Sequence, residues 1–197
     1  MPFDPAIQIR RGAYLPHWTK DGAIYSIHFR LADSIPTAKR KEWEEERKLL
    51  MQKGIDSLTK EEMERVQYLF SEKIEQYLDA GYGACWLKQE AIAAAIARLL
   101  QKFDGDWYRL FAWCIMPNHI HVVFQPLTKP LHQIVQTWKR VSAQKANKLL
   151  RRSGTFWQPE YFDHLIRDEE KFEHAVEYVW KNPDAAGFRE WKWRWKV

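Results

Sequence analysis

Cysteine is scarce in this sequence. Only Cys85 and Cys114 are present, and they are neither close in the chain nor spaced as a CxxC pair. A disulfide-stapled fold and a thiolate zinc site both need more cysteines at short spacings. The composition therefore excludes those two classes and predicts a protein of a reducing cytoplasm.

Long apolar stretches are also missing. No run approaches the roughly 20 apolar residues needed to cross a bilayer. The N-terminal residues MPFDPAIQIRRGAY lack the continuous apolar core of a secretion signal. We therefore expect neither secretion nor a membrane partner.

Negative charge is less abundant than positive charge and is unevenly spread. The chain has 31 Lys and Arg against 26 Asp and Glu, which gives a net charge of +5 and a pI near 9.1. Many carboxylates fall between Glu42 and Glu75, so both flanks are positive. This balance favours a polyanionic partner that binds outside that acidic stretch.

Hydrophobic periodicity divides the chain into strands and helices. Its 197 residues, 46% of them apolar, suit one domain spanning positions 1–197. Period-two alternation predicts strands at 23–31, 107–115 and 119–125 and an extended piece at 155–166. Helical spacing predicts a hairpin insertion at about 37–80 and helices at 88–103, 131–152 and 168–182, the last stopped by Pro183. We expect an α+β, ferredoxin-like antiparallel sheet flanked by helices, with a helical insertion after the first strand.

Two histidines stand at the start of the predicted strand 119–125. His119 and His121 are two positions apart, which in a strand puts their side chains on one face roughly 6.6 to 7 Å apart. The alternate positions Ile120, Val122 and Phe124 would anchor the other face in the core. Two imidazoles so placed can bind one metal ion, although a bare HxH pattern also arises by chance.

A tyrosine and an asparagine share one flank of the last predicted helix. Tyr178 lies roughly 110° from the apolar stripe, and Asn182 follows four positions later on the same side. A phenol there can attack a phosphodiester, and the amide oxygen can complete a hard-ion shell with two imidazoles, which suits Mg²⁺ or Mn²⁺. By spacing alone, an ordinary boundary aromatic and a helix C-terminal asparagine explain these positions as well.

Tyr161 is a rival nucleophile, because it too follows a conspicuous motif. Its neighbours Trp157 and Phe162 instead suggest an aromatic brace, so we favour Tyr178.

The segments PNHIHVVF, FWQPEYFDHLIRDEEKF and VEYVWKNPDAAG resemble the REP-associated tyrosine transposases, a branch of the single-tyrosine HUH transposases. The resemblance covers most of the chain, from RRGAYLP to the Trp-rich tail, and the acidic helical insertion is the main departure. It implies a ferredoxin-like fold that acts on hairpins with single-stranded flanks. It also implies that His119 and His121 bind a divalent metal, that Tyr178 forms the covalent DNA link, and that Asn182 is the third ligand.

Candidate DNA contacts lie on both sides of the acidic stretch. Cations neutralise phosphates and aromatic rings stack on unpaired bases, so we assign Arg10, Arg11, Tyr14, Lys139, Arg140 and Lys145 to DNA binding. The tail WKWRWKV is a further candidate, and its tryptophans would equally suit one face of a terminal strand.

The function expected from these observations is metal-dependent cleavage and rejoining of single-stranded or hairpin DNA through a 5′-phosphotyrosine, in a protein associated with the nucleoid. Two other classes remain open: a domesticated hairpin-DNA binder with weak or no activity, and a metal-dependent nuclease without covalent catalysis. The sequence leaves open whether the protein is a monomer or a homodimer.

Overall fold

The central element is a five-stranded antiparallel sheet. The computed structural model describes residues 8–11, 16–52, 59 and 72–197. The sheet strands are β3 (Ile24–Arg30), β4 (Tyr108–Ile115), β5 (His119–Pro126), β6 (Phe162–Ile166) and β7 (Arg194–Lys196). Their spatial order, β6-β3-β5-β4-β7, places the first, third and second long strands side by side, as a split βαββαβ unit requires. The expected α+β, ferredoxin-like class is confirmed.

Helices cover both faces of this sheet. The described helices are α1 (Thr37–Gln52), α2 (Glu72–Asp79), α3 (Glu90–Gln101), α4 (Leu131–Leu149) and α5 (Glu169–Ala185), with a 3₁₀ turn at Trp86–Lys88, and the last three lie on the sheet. The apolar stripes of α3 and α4 join Ile120, Val122 and Phe124 in the main core. Helix α5 packs on the opposite face against Ala112, Cys114 and Val123. The alternation predicted for β5 is therefore confirmed.

An irregularity in β4 changes which of its side chains lie on each face of the sheet. The β4–β5 register shifts between Leu110 and Ala112, which is the behaviour of a β-bulge. Leu110 and Trp113 consequently point into the main core, whereas Ala112 and Cys114 face α5.

The N-terminal part of the chain contains a hairpin that the sequence pattern did not predict. Strands β1 (Gln8–Arg11) and β2 (Pro16–Thr19) pair antiparallel, so the strand expected to be first is the third in the chain. His17 fixes this hairpin to β6, since its Nδ1 lies 2.6 Å from Asp163 Oδ1. Four-residue strands are too short to show a clear period.

The acidic insertion begins and ends as helices, as predicted. Trp43 of α1 packs edge-on against Tyr77 of α2, with 5.1 Å between the ring centroids, and Ile35 and Ile74 complete this small cluster. The rest of the insertion, including the turn expected near Gly54, lies outside the described residues.

The last helix runs further than expected. The prediction that Pro183 stops it was wrong, because α5 continues to Ala185 with Pro183 inside. Proline removes one backbone donor and strains a helix interior. Here it lies in the final turn of the helix and is buried, as is Val179.

The Trp-rich tail is a structural strand. β7 pairs with β4, and Trp193 and Trp195 pack against the main core. Trp191 packs with the α5-side cluster and donates from its indole nitrogen to the Ile115 carbonyl at 2.7 Å. No helix within the described part of the chain is both long and apolar enough to cross a membrane.

Candidate active site

The histidine pair lies on the sheet face that α5 covers. His119 and His121 are 1% and 2% exposed, and their ring centroids are 4.8 Å apart. The turn through Pro117 and Asn118 reverses the chain, and β5 begins at His119 itself. Burial lowers the pKa of His121 to about 4, and burial followed by the charge of His121 lowers the pKa of His119 well below its usual value. Both rings are therefore neutral at physiological pH, which is the metal-binding form.

Asn118 orients the first of these rings. Its amide nitrogen donates to the Tyr82 carbonyl at 3.0 Å, which leaves its oxygen 2.8 Å from His119 Nδ1. An amide oxygen only accepts, so the proton sits on Nδ1 and the lone pair of Nε2 faces the site. The sequence suggested a turn at Asn118 and showed no sign of this orienting role.

Tyr178 and Asn182 meet the histidines from α5. The Asn182 amide nitrogen donates to the Tyr178 hydroxyl at 3.4 Å, as their spacing predicted. The Tyr178 ring stands edge-on to His121 with 5.7 Å between centroids. Tyr178 is 36% exposed, whereas Asn182 is 4% exposed. The phenol is therefore open to solvent, while the amide is covered.

Three buried atoms of this group have no hydrogen-bond partner among the described residues. They are Nε2 of His119, Nε2 of His121 and Oδ1 of Asn182. Buried polar atoms rarely stay unsatisfied, so three in one site suit an ion held between them. Within the described ranges, no cluster of three or more His, Cys, Asp or Glu side chains could hold a metal. Two imidazole nitrogens and the amide oxygen of Asn182 are donors that fit Mg²⁺ or Mn²⁺.

Strand β3 adds two residues that sequence analysis missed. His28 pairs with His121 and Arg30 pairs with His119 across the β3–β5 ladder. The His28 ring lies 5.6 Å from that of His121 and stacks on Phe162 at 5.1 Å. Burial lowers the pKa of His28 well below its usual value. The alternation of β3 predicts that His28 and Arg30 share a face. It does not predict the β3–β5 register, which places both residues beside the HxH pair.

Tyr161, the rival nucleophile, has a different environment. It is 9% exposed, belongs to the main core with Trp157, and stacks on His17 at 4.5 Å. This packing agrees with the expected aromatic brace.

Lys139, one of the residues assigned to DNA binding, is bound to a neighbouring loop. Its ammonium is partly buried and donates to the carbonyls of Gln158, Pro159 and Glu160 at 2.7, 2.6 and 3.4 Å. Burial lowers the pKa of Lys139 to about 8, against the raising effect of the Glu160 carboxylate. Lys139 thus ties α4 to the loop before β6, an arrangement that helical periodicity cannot reveal.

The other candidate DNA contacts fall in two places. Arg10 and Arg11 lie on β1, paired with His17 and Pro16, and Tyr14 is outside the described residues. Arg140 and Lys145 are exposed on α4 and line a groove of about 750 Å³ between α3 and α4. Arg98, Lys102 and the stacked rings of Phe103 and Trp107 line the same groove. This groove lies across the sheet from Tyr178.

The fold and site together define a two-histidine, one-tyrosine arrangement on a ferredoxin-like sheet. A family model described as "Transposase IS200 like" matches residues 84–182, the segment that carries the HxH pair, Tyr178 and Asn182. The chain belongs to this family.

Two curated relatives have names that agree with this family. A REP-associated tyrosine transposase of Escherichia coli K12 is 25% identical over 81 residues, 41% of this chain and 47% of that protein. A Haemophilus influenzae protein that is provisionally named a REP-associated tyrosine transposase is 28% identical over 94 residues, 42% of this chain and 53% of that protein. The chain thus spans about half the length of the curated relatives it matches.

One solved structure is that of the REP-associated tyrosine transposase bound to a REP hairpin. Its match with this protein covers 91% of this chain and 74% of the solved chain, with 13% identity and a TM-score of 0.46.

Proposed function

We propose that this protein is a metal-dependent single-strand DNA transesterase that acts on hairpin DNA through a 5′-phosphotyrosine. The observation that carries the proposal is the meeting of an accessible phenol with the buried donor atoms of His119, His121 and Asn182, which have no partner among the described residues. Membership of the IS200-like family and the names of the relatives support DNA strand transfer as the chemistry. The proposal places the protein with the nucleoid, in the cytoplasm.

The Tyr178 hydroxyl oxygen is the proposed nucleophile. It bonds to the phosphorus of the DNA strand while the bond from phosphorus to the 3′ oxygen of the preceding nucleotide breaks. The phenol releases a proton to water and the departing 3′ oxygen takes one up, so the products are a 5′-phosphotyrosine and a free 3′-OH. The reverse step on another 3′-OH rejoins the DNA, and no nucleotide cofactor is consumed.

The buried side chains would fix the position of the divalent ion relative to the phenol. His119, His121 and Asn182 would bind Mg²⁺ or Mn²⁺, which when bound polarises the scissile phosphate. Asn118 fixes the tautomer of His119 from outside the ligand set. The Asn182 amide donates to the Tyr178 oxygen and so helps to hold the phenol in position.

The DNA is proposed to contact basic residues beyond the site. Arg140 and Lys145 share their groove with Arg98 and Lys102, and none of the described carboxylates lines it. Four cations in one groove suit a polyphosphate backbone. Arg10, Arg11 and Tyr14 are proposed as contacts from the N-terminal hairpin region. Lys139 is proposed to affect DNA binding mainly through the loop before β6, to which it is bound.

A hairpin oligonucleotide with a labelled single-stranded flank tests the proposal. Incubation with Mn²⁺ should give a protein–DNA adduct that survives denaturation in wild type and in Tyr161→Phe, and none in Tyr178→Phe. Cleavage by Tyr178→Phe at the wild-type rate would assign the protein to nucleases without covalent catalysis. Hairpin binding by wild type with no cleavage in either metal would assign it to the domesticated binders.

A further inference from the structure

A partly buried arginine lies beside the histidine pair. Arg30 is the last residue of β3 and pairs with His119 on β5. Residues directly opposite in an antiparallel ladder project to the same face, with Cβ atoms about 5 Å apart. Arg30 therefore shares the face that carries His119 and His121.

The Arg30 guanidinium has no close anionic partner among the described residues. Its Nε is buried and has no hydrogen-bond partner there, and the described residues offer its guanidinium no ion pair. Glu44, a neighbouring carboxylate on α1, pairs instead with Arg40, with 3.7 Å between its Oε1 and Arg40 Nε. Burial lowers the pKa of Arg30 to about 10; Arg40 acts in the same direction and Glu44 in the opposite one. A buried cation is costly unless an anion meets it.

The histidines beside Arg30 supply no anion. The imidazoles of His28 and His119, which lie on the same face, carry no negative charge and cannot form an ion pair with a guanidinium. The planar donors of arginine match two phosphate oxygens at once, which an ammonium cannot do.

We infer that Arg30 binds the scissile phosphate of the DNA strand that Tyr178 attacks. This inference rests on the proposed function and adds a phosphate-binding group on the β3 side of the site, opposite the phenol of α5. Its guanidinium would hold the non-bridging oxygens while negative charge builds on them. Removal of one such donor typically costs about 100- to 1,000-fold in rate.

The test compares Arg30→Gln and Arg30→Lys with wild type in the adduct assay. We expect Arg30→Gln to form the Tyr178 adduct about 100-fold more slowly, Arg30→Lys to recover part of the rate, and added guanidinium ion to restore part of the Arg30→Gln rate. Mn²⁺ affinity and the melting temperature should stay near wild type. Arg109→Gln is the matched control, because it removes an exposed guanidinium at the far end of the sheet, where Arg109 pairs with Gln125.

The outcomes separate this inference from the proposed function. If wild type forms the adduct and Arg30→Gln matches its rate, the role of Arg30 is overturned while the function stands. A loss of Mn²⁺ binding in both Arg30 variants would also overturn it, in favour of a structural role. If wild type forms no adduct, inorganic phosphate decides: it should raise the melting temperature of wild type but not of Arg30→Gln, and equal shifts would overturn the anion site.

Discussion

His28 on β3 stands directly across from His121 on β5, with 5.6 Å between their ring centroids. Phe162 stacks on the other side of His28, so the His28 ring is fixed between a neighbouring strand and a proposed metal ligand. This contact makes His28 a positioning residue for His121.

Replacement of His28 by alanine should weaken metal binding without abolishing it. The cavity would free the His121 ring to rotate, and removal of a group that supports a metal ligand typically costs about 10- to 100-fold in metal affinity. Mn²⁺ titration by calorimetry measures the change. His174→Ala, at an exposed histidine of α5, is the control. A His28→Ala protein with wild-type affinity would remove His28 from the site.

Asn182 should be replaceable by aspartate but not by alanine. Aspartate keeps an oxygen at the position of Oδ1, whereas alanine leaves the two imidazoles without a third protein ligand. We expect Asn182→Ala to need at least about 10-fold more Mn²⁺ for half-maximal adduct formation, and Asn182→Asp to need an amount near that of wild type. Equal Mn²⁺ requirements in Asn182→Ala and wild type would show that the amide is not a ligand.

Charge reversal in the α3–α4 groove should weaken hairpin binding. Lys145→Glu removes a cation that lines the groove and should lower the slope of log affinity against log salt by about 0.7 to 0.9 for each phosphate that the protein no longer neutralises. Fluorescence anisotropy at several salt concentrations gives that slope. Lys41→Glu, at an exposed lysine of α1, changes the net charge equally and controls for it. The same salt dependence in both variants would place the DNA elsewhere.

Lys139 should contribute to stability more than to DNA affinity. Lys139→Met keeps the aliphatic length and removes the donor that holds three loop carbonyls. Hydrogen bonds from charged groups are worth about 1.5 to 3 kcal/mol each, so we expect the free energy of unfolding to fall by about 2 kcal/mol or more. Urea denaturation measures this, and Arg140→Gln on the exposed side of the same helix should leave it unchanged.

The hairpin-to-sheet contact at His17 should make stability depend on pH. Burial alone would lower the pKa of His17, but its hydrogen bond to Asp163 and the nearby carboxylate of Glu160, 3.4 Å from Nε2, raise it to about 9. A histidine whose pKa rises on folding stabilises the folded state fully at pH values below its unfolded pKa of about 6.5. That stabilisation is lost as the pH rises through about 9.

Melting temperatures between pH 6 and pH 10 test this for wild type and His17→Gln. The advantage of wild type should be largest near pH 6 and should shrink between about pH 6.5 and about pH 9. A constant difference between the two proteins across this range would show that His17 does not gain its proton from folding.

Local patterns determined much of this protein. The alternation of β5 decided that His119 and His121 share one face while Ile120 and Val122 enter the core. The 100° step of a helix placed Asn182 beside Tyr178. Both results follow from neighbours a few residues apart, whose geometry the backbone fixes alone. The element order was enough to give the ferredoxin-like class.

Only the tertiary structure decided what lies opposite those residues. The register of β3 against β5 brings His28 and Arg30 to the site, and the packing of α4 on the loop before β6 turns Lys139 inward. Each depends on contacts between segments far apart in the chain, and period and spacing along one segment contain no information about such partners.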